Sequence, residues 1–190
     1  MPVLRQTLKC YNAGMKVVFF DRDGTLVVDP PDLRVDSLDK AILFKDTLPA
    51  LKLLANNGYS IVIITNQVGI AEGLLDEAKF WEIQNKVIDL LKPSGIKVLK
   101  TYLCPHDESN TCVCRKPKPY MLQQAATEFN IYPASTYMVG DRLSDIAAGN
   151  SAGTKTILVK SANENVDAPN ADYTAPNLMD AAQYIINHPL

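Results

Sequence analysis

The 190-residue sequence contains no long apolar run. Every hydrophobic stretch is short and interrupted, whereas a membrane-spanning helix needs ~20 consecutive apolar residues, so a transmembrane span is excluded. Charge of one sign is also lacking: 19 Lys and Arg stand against 21 Asp and Glu, a formal balance of -2. Nucleic-acid binding by counterion release needs a broad basic face. None is expected here, and any anionic partner should be small and met locally. Residues 1–14 lack the apolar core of ~7–15 residues that marks a secretory signal, so a cytoplasmic location is expected. They read as an N-terminal extension, because Met15 directly precedes the first strong strand. Four cysteines are too few for a disulfide scaffold. No repeat or low-complexity tract is present, and no heptad or large amphipathic face demands more than a monomer.

What is there is a 47% hydrophobic chain of a length that suits one core of ~100–200 residues. A single domain over 1–190 is the expectation. Short β-branched or aromatic runs at 16–20, 60–64, 98–103, 136–139 and 154–159 read as strands. Between them, helical spacing predicts helices over 47–57, 76–91, 119–130 and 144–151, with a last one over 178–187. Asp76 is a plausible N-cap, and Pro93-Ser94-Gly95 a stop signal. Strand and helix alternate, which implies an α/β fold: a doubly wound, parallel, five-stranded, Rossmann-like sheet. Residues 161–176 are polar and turn-rich and read as loop. In such folds ligands sit beyond the strand C-termini, where strand order reverses.

Those ends are crowded with polar residues. Asp21 and Asp23 follow the first strand, Thr65 and Asn66 the second, Arg115 and Lys116 come after the third, and Asp141 and Asp145 follow the fourth. Any one of these acids reads equally well as a helix cap; the set reads as a site. Three carboxylates brought together repel at low dielectric and need a cation, and hard oxygen ligands select Mg²⁺.

Asp21-x-Asp23-Gly24-Thr25, Thr65-Asn66, Lys116 and Gly140-Asp141-x-x-x-Asp145 together resemble the haloacid dehalogenase (HAD) superfamily of phosphatases. The resemblance covers nearly the whole chain from residue 16. It implies that Asp21 is the nucleophile, forming an aspartyl-phosphate, and that Asp23 is the general acid. It implies that Mg²⁺ is held by the Asp21 carboxylate, the Asp23 carbonyl and Asp141, with Asp145 behind them orienting Lys116 or a metal-bound water. Thr65, Asn66, Lys116 and Arg115 would then hold the phosphate and substrate. A receiver domain also clusters acids, but it lacks Asp-Gly-Thr and takes its phosphate after the third strand. Here that strand ends in Tyr102-Leu103-Cys104-Pro105. A non-catalytic binding protein of the same fold would be expected to lose Asp21, Asp23, Lys116 or Asp141, and all four are present.

Cys104, His106, Cys112 and Cys114 place four soft or borderline ligands within 104–114, enough for a closed tetrahedral Zn²⁺ site of the structural kind. The alternatives are free thiols or a strained Cys112–Cys114 disulfide. Zinc would pin a loop without secondary structure and so fix Arg115 and Lys116. The block CPH…CxCRKPxP resembles one HAD branch, that of the heptose bisphosphate and histidinol-phosphate phosphatases. Thr65 to Ala71 and the chain after Met121 look more like the former, and 29–40 like the latter; Glu72 and Tyr120 depart from the heptose pattern. In that branch 29–40 forms a flap. Too few residues follow Ala71 for a large inserted cap, so the expected site is open to a small phosphorylated metabolite. Arg34 and Arg142 are further candidates to read a second phosphate or a sugar hydroxyl.

Overall fold

Side chains alternate across a strand, and the apolar runs of this chain carry hydrophobic residues at both parities. In β1 (Lys16–Phe20) Val18 and Phe20 enter one core, and Val17 and Phe19 enter another. β2 (Tyr59–Asn66) does the same with Ile61 and Ile63 against Val62 and Ile64. A sheet that buries both faces must be covered by helices on each side. A computed structural model describes residues 15–109, 111–160 and 167–190 of the protein; the extension read over 1–14 lies outside them. In it α1 (Thr47–Asn56), α3 (Glu77–Leu91) and α6 (Leu178–Asn187) cover the first face, and α4 (Tyr120–Glu128) covers the second. Among the described residues no helix is long and apolar enough to cross a membrane.

The sheet has six strands rather than five. Their order is β3-β2-β1-β4-β5-β6, all parallel, with β3 at Lys97–Cys104, β4 at Tyr137–Gly140 and β5 at Lys155–Val159. The sixth, β6, is Tyr173–Ala175, inside the stretch read as loop. Three residues with only Ala175 buried leave almost no apolar signal. It is set in place from outside the strand: Asp172 accepts the Thr156 N–H at 2.9 Å and pairs with Lys155 at 2.7 Å. A one-turn helix, α2 (Val68–Ala71), also went unread, being too short for periodicity. Asp76 sits at the N-cap of α3 with extended backbone, yet its side chain makes no capping bond.

Strand order turns back between β1 and β4. Their C-terminal ends, with that of β2, deliver Asp21, Asp141 and Thr65 to one crevice. Thr65 and Asn66 belong to β2 itself, and Gly140 ends β4, so the polar residues begin on rigid backbone. The 21–46 segment folds back over this edge: the Arg22 carbonyl accepts from Leu26 and Val27 at 2.8 and 2.9 Å, and Val28 donates to Ile42 at 2.8 Å. α5 (Leu143–Ala152) leads away from the same crevice.

The central strands carry the stability. Ile63→Ala at a fully buried position is expected to lower unfolding free energy by ~2–5 kcal/mol in urea titration. An alanine at exposed Lys52 should stay within about 0.5 kcal/mol of wild type.

Candidate active site

The end of β1 directs Asp21 into the crevice, its N–H bonded to the Val139 carbonyl at 2.9 Å. Lys116 meets it there. Its ammonium lies 2.8 Å from Asp21 Oδ1, 2.6 Å from Asp145 Oδ1 and 2.8 Å from the Ile64 carbonyl, which uses all three donors. Burial opposes the charge on Lys116, but Asp145 and Asp21 outweigh it and raise its pKa, so it stays an ammonium. Asn66 fixes the lysine's main chain: its amide accepts the Lys116 N–H and donates to the Lys116 carbonyl, both at 3.1 Å. The Asn66 side chain thus braces Lys116 while also lining the pocket.

Asp141 and Asp145 are both wholly buried. Asp145 Oδ1 has no hydrogen-bond partner but forms an ion pair with Lys116 at 2.6 Å, and Oδ2 accepts the Arg142 N–H at 3.1 Å. Asp141 Oδ1 accepts the Thr25 hydroxyl at 3.1 Å, while Oδ2 has no hydrogen-bond partner and only the distant Arg142 Nε at 3.7 Å. An orphaned carboxylate oxygen is costly. Asp21, Asp141 and Asp145 each offer one oxygen within 4.8 Å of the others, a donor set of hard oxygens that fits Mg²⁺. Two glycines make room: a Cβ on Gly24, whose φ is +78°, would lie 2.4 Å from Asp141 Oδ2, and one on Gly140 2.3 Å from Asp145 Oδ2. Without a cation the cluster resists ionisation. Burial first, then Asp145, push Asp21 up to about 8, and burial and Asp145 push Asp141 up to about 6.

Asp23 points elsewhere in the same pocket. Its carboxylate receives a two-pronged bond from Arg22, Nε at 2.8 Å and Nη2 at 2.7 Å, and a third bond from the Gln67 amide at 2.6 Å. Gln67 also reaches the Thr65 hydroxyl at 2.9 Å. Neither Arg22 nor Gln67 stood out in the sequence. An arginine between two aspartates in a polar turn reads as solvated, and only the fold shows it fully buried against Phe80. Asp29 was singled out only as part of the flap. Its side chain pairs with Arg142 at 3.1 Å, and burial raises its pKa.

The pocket holds about 290 Å³ and is bordered by Asp21, Asp23, Thr65, Arg115 and Lys116, with Arg34 and Arg142 on its rim. Arg34 faces Glu72 at 3.8 Å, both half in solvent. Arg115 donates to the His106 carbonyl at 3.2 Å and lies 3.5 Å from Glu108.

His106 belongs to the second cluster. Cys104 Sγ lies 3.1 Å from Cys114, 3.8 Å from Cys112 and 3.6 Å from His106 Nδ1, and His106 Nδ1 lies 3.3 Å from Cys114. A tetrahedral zinc with Zn–S of ~2.3 Å and Zn–N of ~2.0 Å has ligand-to-ligand edges of roughly 3.5–3.8 Å, so the four atoms need only small adjustments to enclose one. The three thiols are free. Burial pushes Cys104 up to about 12, a pressure that a bound cation relieves.

The raised pKa values give a sign. The metal-free folded protein holds protons that the unfolded chain has released, on Asp21 between about pH 4 and 8 and on Asp141 between about pH 4 and 6. The contribution of these groups to stability therefore falls as pH rises through those windows. Asp141→Asn, which removes one repelling charge, should melt higher than wild type at pH 8 in chelator and lose the Mg²⁺-induced rise. A shift of a few degrees is expected, about 1 kcal/mol corresponding to ~2–4 °C at this size. An unchanged or lowered melting temperature in chelator would contradict the electrostatic account.

Comparison with known proteins agrees with this geometry. The HAD-hydrolase-like family profile matches residues 113–181. The chain is 37% identical over 182 residues to the D-glycero-beta-D-manno-heptose-1,7-bisphosphate 7-phosphatase of Haemophilus ducreyi, with 90% of this chain and 99% of that one aligned. It is 35% identical over 143 residues to the histidine biosynthesis bifunctional protein HisB of Campylobacter jejuni, covering 75% of this chain and 41% of that longer protein. Among solved structures, the D,D-heptose 1,7-bisphosphate phosphatase from B. bronchiseptica, complexed with magnesium and phosphate, has a TM-score of 0.84 and 31% identity. It covers 91% of this chain and 99% of its own. At 37% identity over 90% of its length, the chain belongs to the HAD-like family of phosphatases.

Proposed function

We propose that the chain is a Mg²⁺-dependent phosphomonoesterase acting through an aspartyl-phosphate, and that its substrate is D-glycero-D-manno-heptose 1,7-bisphosphate, cleaved at the 7-phosphate. The observation that carries the chemistry is Asp21, a carboxylate at a strand end facing the pocket and held by Lys116 beside Asp141. Alignment over nearly the full length of a heptose bisphosphate phosphatase supports the substrate. A pocket lined within a single chain suits a monomer, and free thiols suit the cytoplasm.

In this reading an Asp21 oxygen attacks phosphorus, the bond from phosphorus to the sugar oxygen breaks, and the Asp23 carboxyl gives its proton to that oxygen. Water then attacks the aspartyl-phosphate, Asp23 takes up its proton, and inorganic phosphate leaves as the Asp21 carboxylate is restored. Asp21, the Asp23 carbonyl and Asp141 Oδ2 would hold Mg²⁺, which supplies the positive charge that keeps Asp21 ionised and neutralises the phosphoryl oxygens. Asp145, with both oxygens engaged, orients Lys116. The Lys116 ammonium and the Thr65 hydroxyl stabilise charge on the transferring group. Cys104, His106, Cys112 and Cys114 would hold a structural Zn²⁺. Arg115, tied to the His106 carbonyl, contacts the substrate beyond the scissile phosphate.

Histidinol phosphate is the second reading, favoured by the 35% identity to the bifunctional histidine-biosynthesis protein. Phosphate release from both compounds with Mg²⁺ present separates them. The heptose bisphosphate is expected to give the higher kcat/KM, and hydrolysis of neither rejects both. Asp21→Asn should lower turnover by ~10³-fold or more, with wild-type-like activity excluding the covalent route. Stripping zinc with a thiol-compatible chelator should reduce phosphate release and weaken phosphate binding while Mg²⁺ is kept saturating, because Arg115 and Lys116 lose their anchorage; full activity at zero zinc content would remove the structural role.

A further inference from the structure

Arg22 is the largest fully buried side chain of the described protein, and it sits between the two acids of the proposed mechanism. A buried guanidinium is expensive unless its donors are met. Arg22 spends its two-pronged fork on the neighbouring Asp23, lays its plane over the Phe80 ring at 5.0 Å, and leaves Nη1 without a partner. As a stability device the arrangement is poor, since apolar residues of the same volume often serve as well or better. What it provides is direction. A bidentate arginine fixes the plane of a carboxylate, and Phe80, wholly buried in α3, packs against the guanidinium at 5.0 Å.

A second hold comes from Gln67, the residue after β2. The Gln67 amide nitrogen bridges Asp23 Oδ2 at 2.6 Å and the Thr65 hydroxyl at 2.9 Å. Asp23 Oδ2 thus accepts two bonds and Oδ1 accepts one. With about two acceptor sites on each carboxylate oxygen, Oδ1 is the oxygen with room for a further partner, and Asp23 borders the pocket.

We propose that Arg22 and Gln67 are positioning residues for Asp23: the Arg22 fork, braced on Phe80, and the Gln67 bridge to Thr65 aim Asp23 Oδ1 at the oxygen of the leaving group. The inference rests on the acid–base role given to Asp23 above. Gln67 ties that aim to Thr65, the hydroxyl assigned to the phosphoryl group, so the acid and the phosphoryl cradle are held in one frame. A misplacement of ~1 Å in such a frame can cost ~10²-fold in rate.

The test is leaving-group dependence. A sugar phosphate expels a poor alkoxide that needs its proton, whereas 4-nitrophenyl phosphate expels an anion that does not. Asp23→Asn, Arg22→Lys and Gln67→Met are assayed on the sugar phosphate and on 4-nitrophenyl phosphate, with melting temperatures recorded. Arg22→Lys keeps the charge and loses the fork; Gln67→Met keeps the volume and loses the amide. Both variants are expected to lower the sugar-phosphate to aryl-phosphate ratio of kcat/KM, which reports the step that expels the leaving group and not the shared hydrolysis of the aspartyl-phosphate, by about 10-fold or more, in the direction of Asp23→Asn. Equal loss on both substrates, or no loss, in folded protein overturns the proposal. If Arg22→Lys does not fold, the ratio for Gln67→Met decides. An Asp23→Asn variant without leaving-group dependence rejects the acid–base reading itself, and the inference with it. A selective loss in Asp23→Asn alone rejects only the inference.

Discussion

A buried ammonium among carboxylates organises this molecule. Lys116 contacts Asp21 from the end of β1, Asp145 from the first turn of α5 and the carbonyl of Ile64 in β2, so one side chain ties together three elements of the sheet edge. One positive charge does not balance Asp21, Asp141 and Asp145. The surplus is visible in the raised pKa values of Asp21 and Asp141 and in the unpartnered oxygen of Asp141. The cluster is therefore incomplete as protein alone, and a divalent ion that completed it would also supply the ionised Asp21 that the proposed chemistry requires. The same deficit that strains the fold defines the chemistry.

Several local features follow from keeping that cluster dense. Gly24 and Gly140 stand where any side chain would collide with Asp141 or Asp145. Thr25 is buried so that its hydroxyl can reach Asp141 across 116 positions of sequence. Asn66, at the pocket wall, clamps the Lys116 main chain. Each is a residue whose type is set by the acids beside it.

Much of this was legible in the sequence. Strands with apolar residues at both parities announce a sheet buried on both faces, and Asp-x-Asp-Gly-Thr after the first of them marks the crevice. Asp21, Asp23, Thr65, Lys116, Asp141 and Asp145 could be named because motifs at strand ends are local. What was hidden depends on long-range packing. β6 is too short and too exposed to show periodicity and exists because β5 lies beside it. Arg22 and Gln67 carry polar side chains whose meaning is set by Phe80, Asp23 and Thr65, and no spacing rule signals a buried arginine. Asn66 could be placed at the site from its strand end, but its clamp on the Lys116 main chain could not.

The lysine's position raises a last question of construction. Asp21, Thr65 and Asp141 are carried by strands or strand ends, but Lys116 lies in a segment between β3 and α4 whose described residues, 105–109 and 111–119, form neither strand nor helix. A loop loses conformational entropy when it must hold one side chain at a fixed distance from two others. The Cys104, His106, Cys112 and Cys114 cluster begins at the last residue of β3 and takes its other three members from that segment, so a tetrahedral ion there would graft the loop onto the sheet. The soft sulfur and imidazole donors and the hard oxygen donors are kept in separate clusters, which lets each select its own metal from a mixture. A soft-metal cross-link would thus stand in for secondary structure, holding in place the lysine that pairs with Asp21 and Asp145.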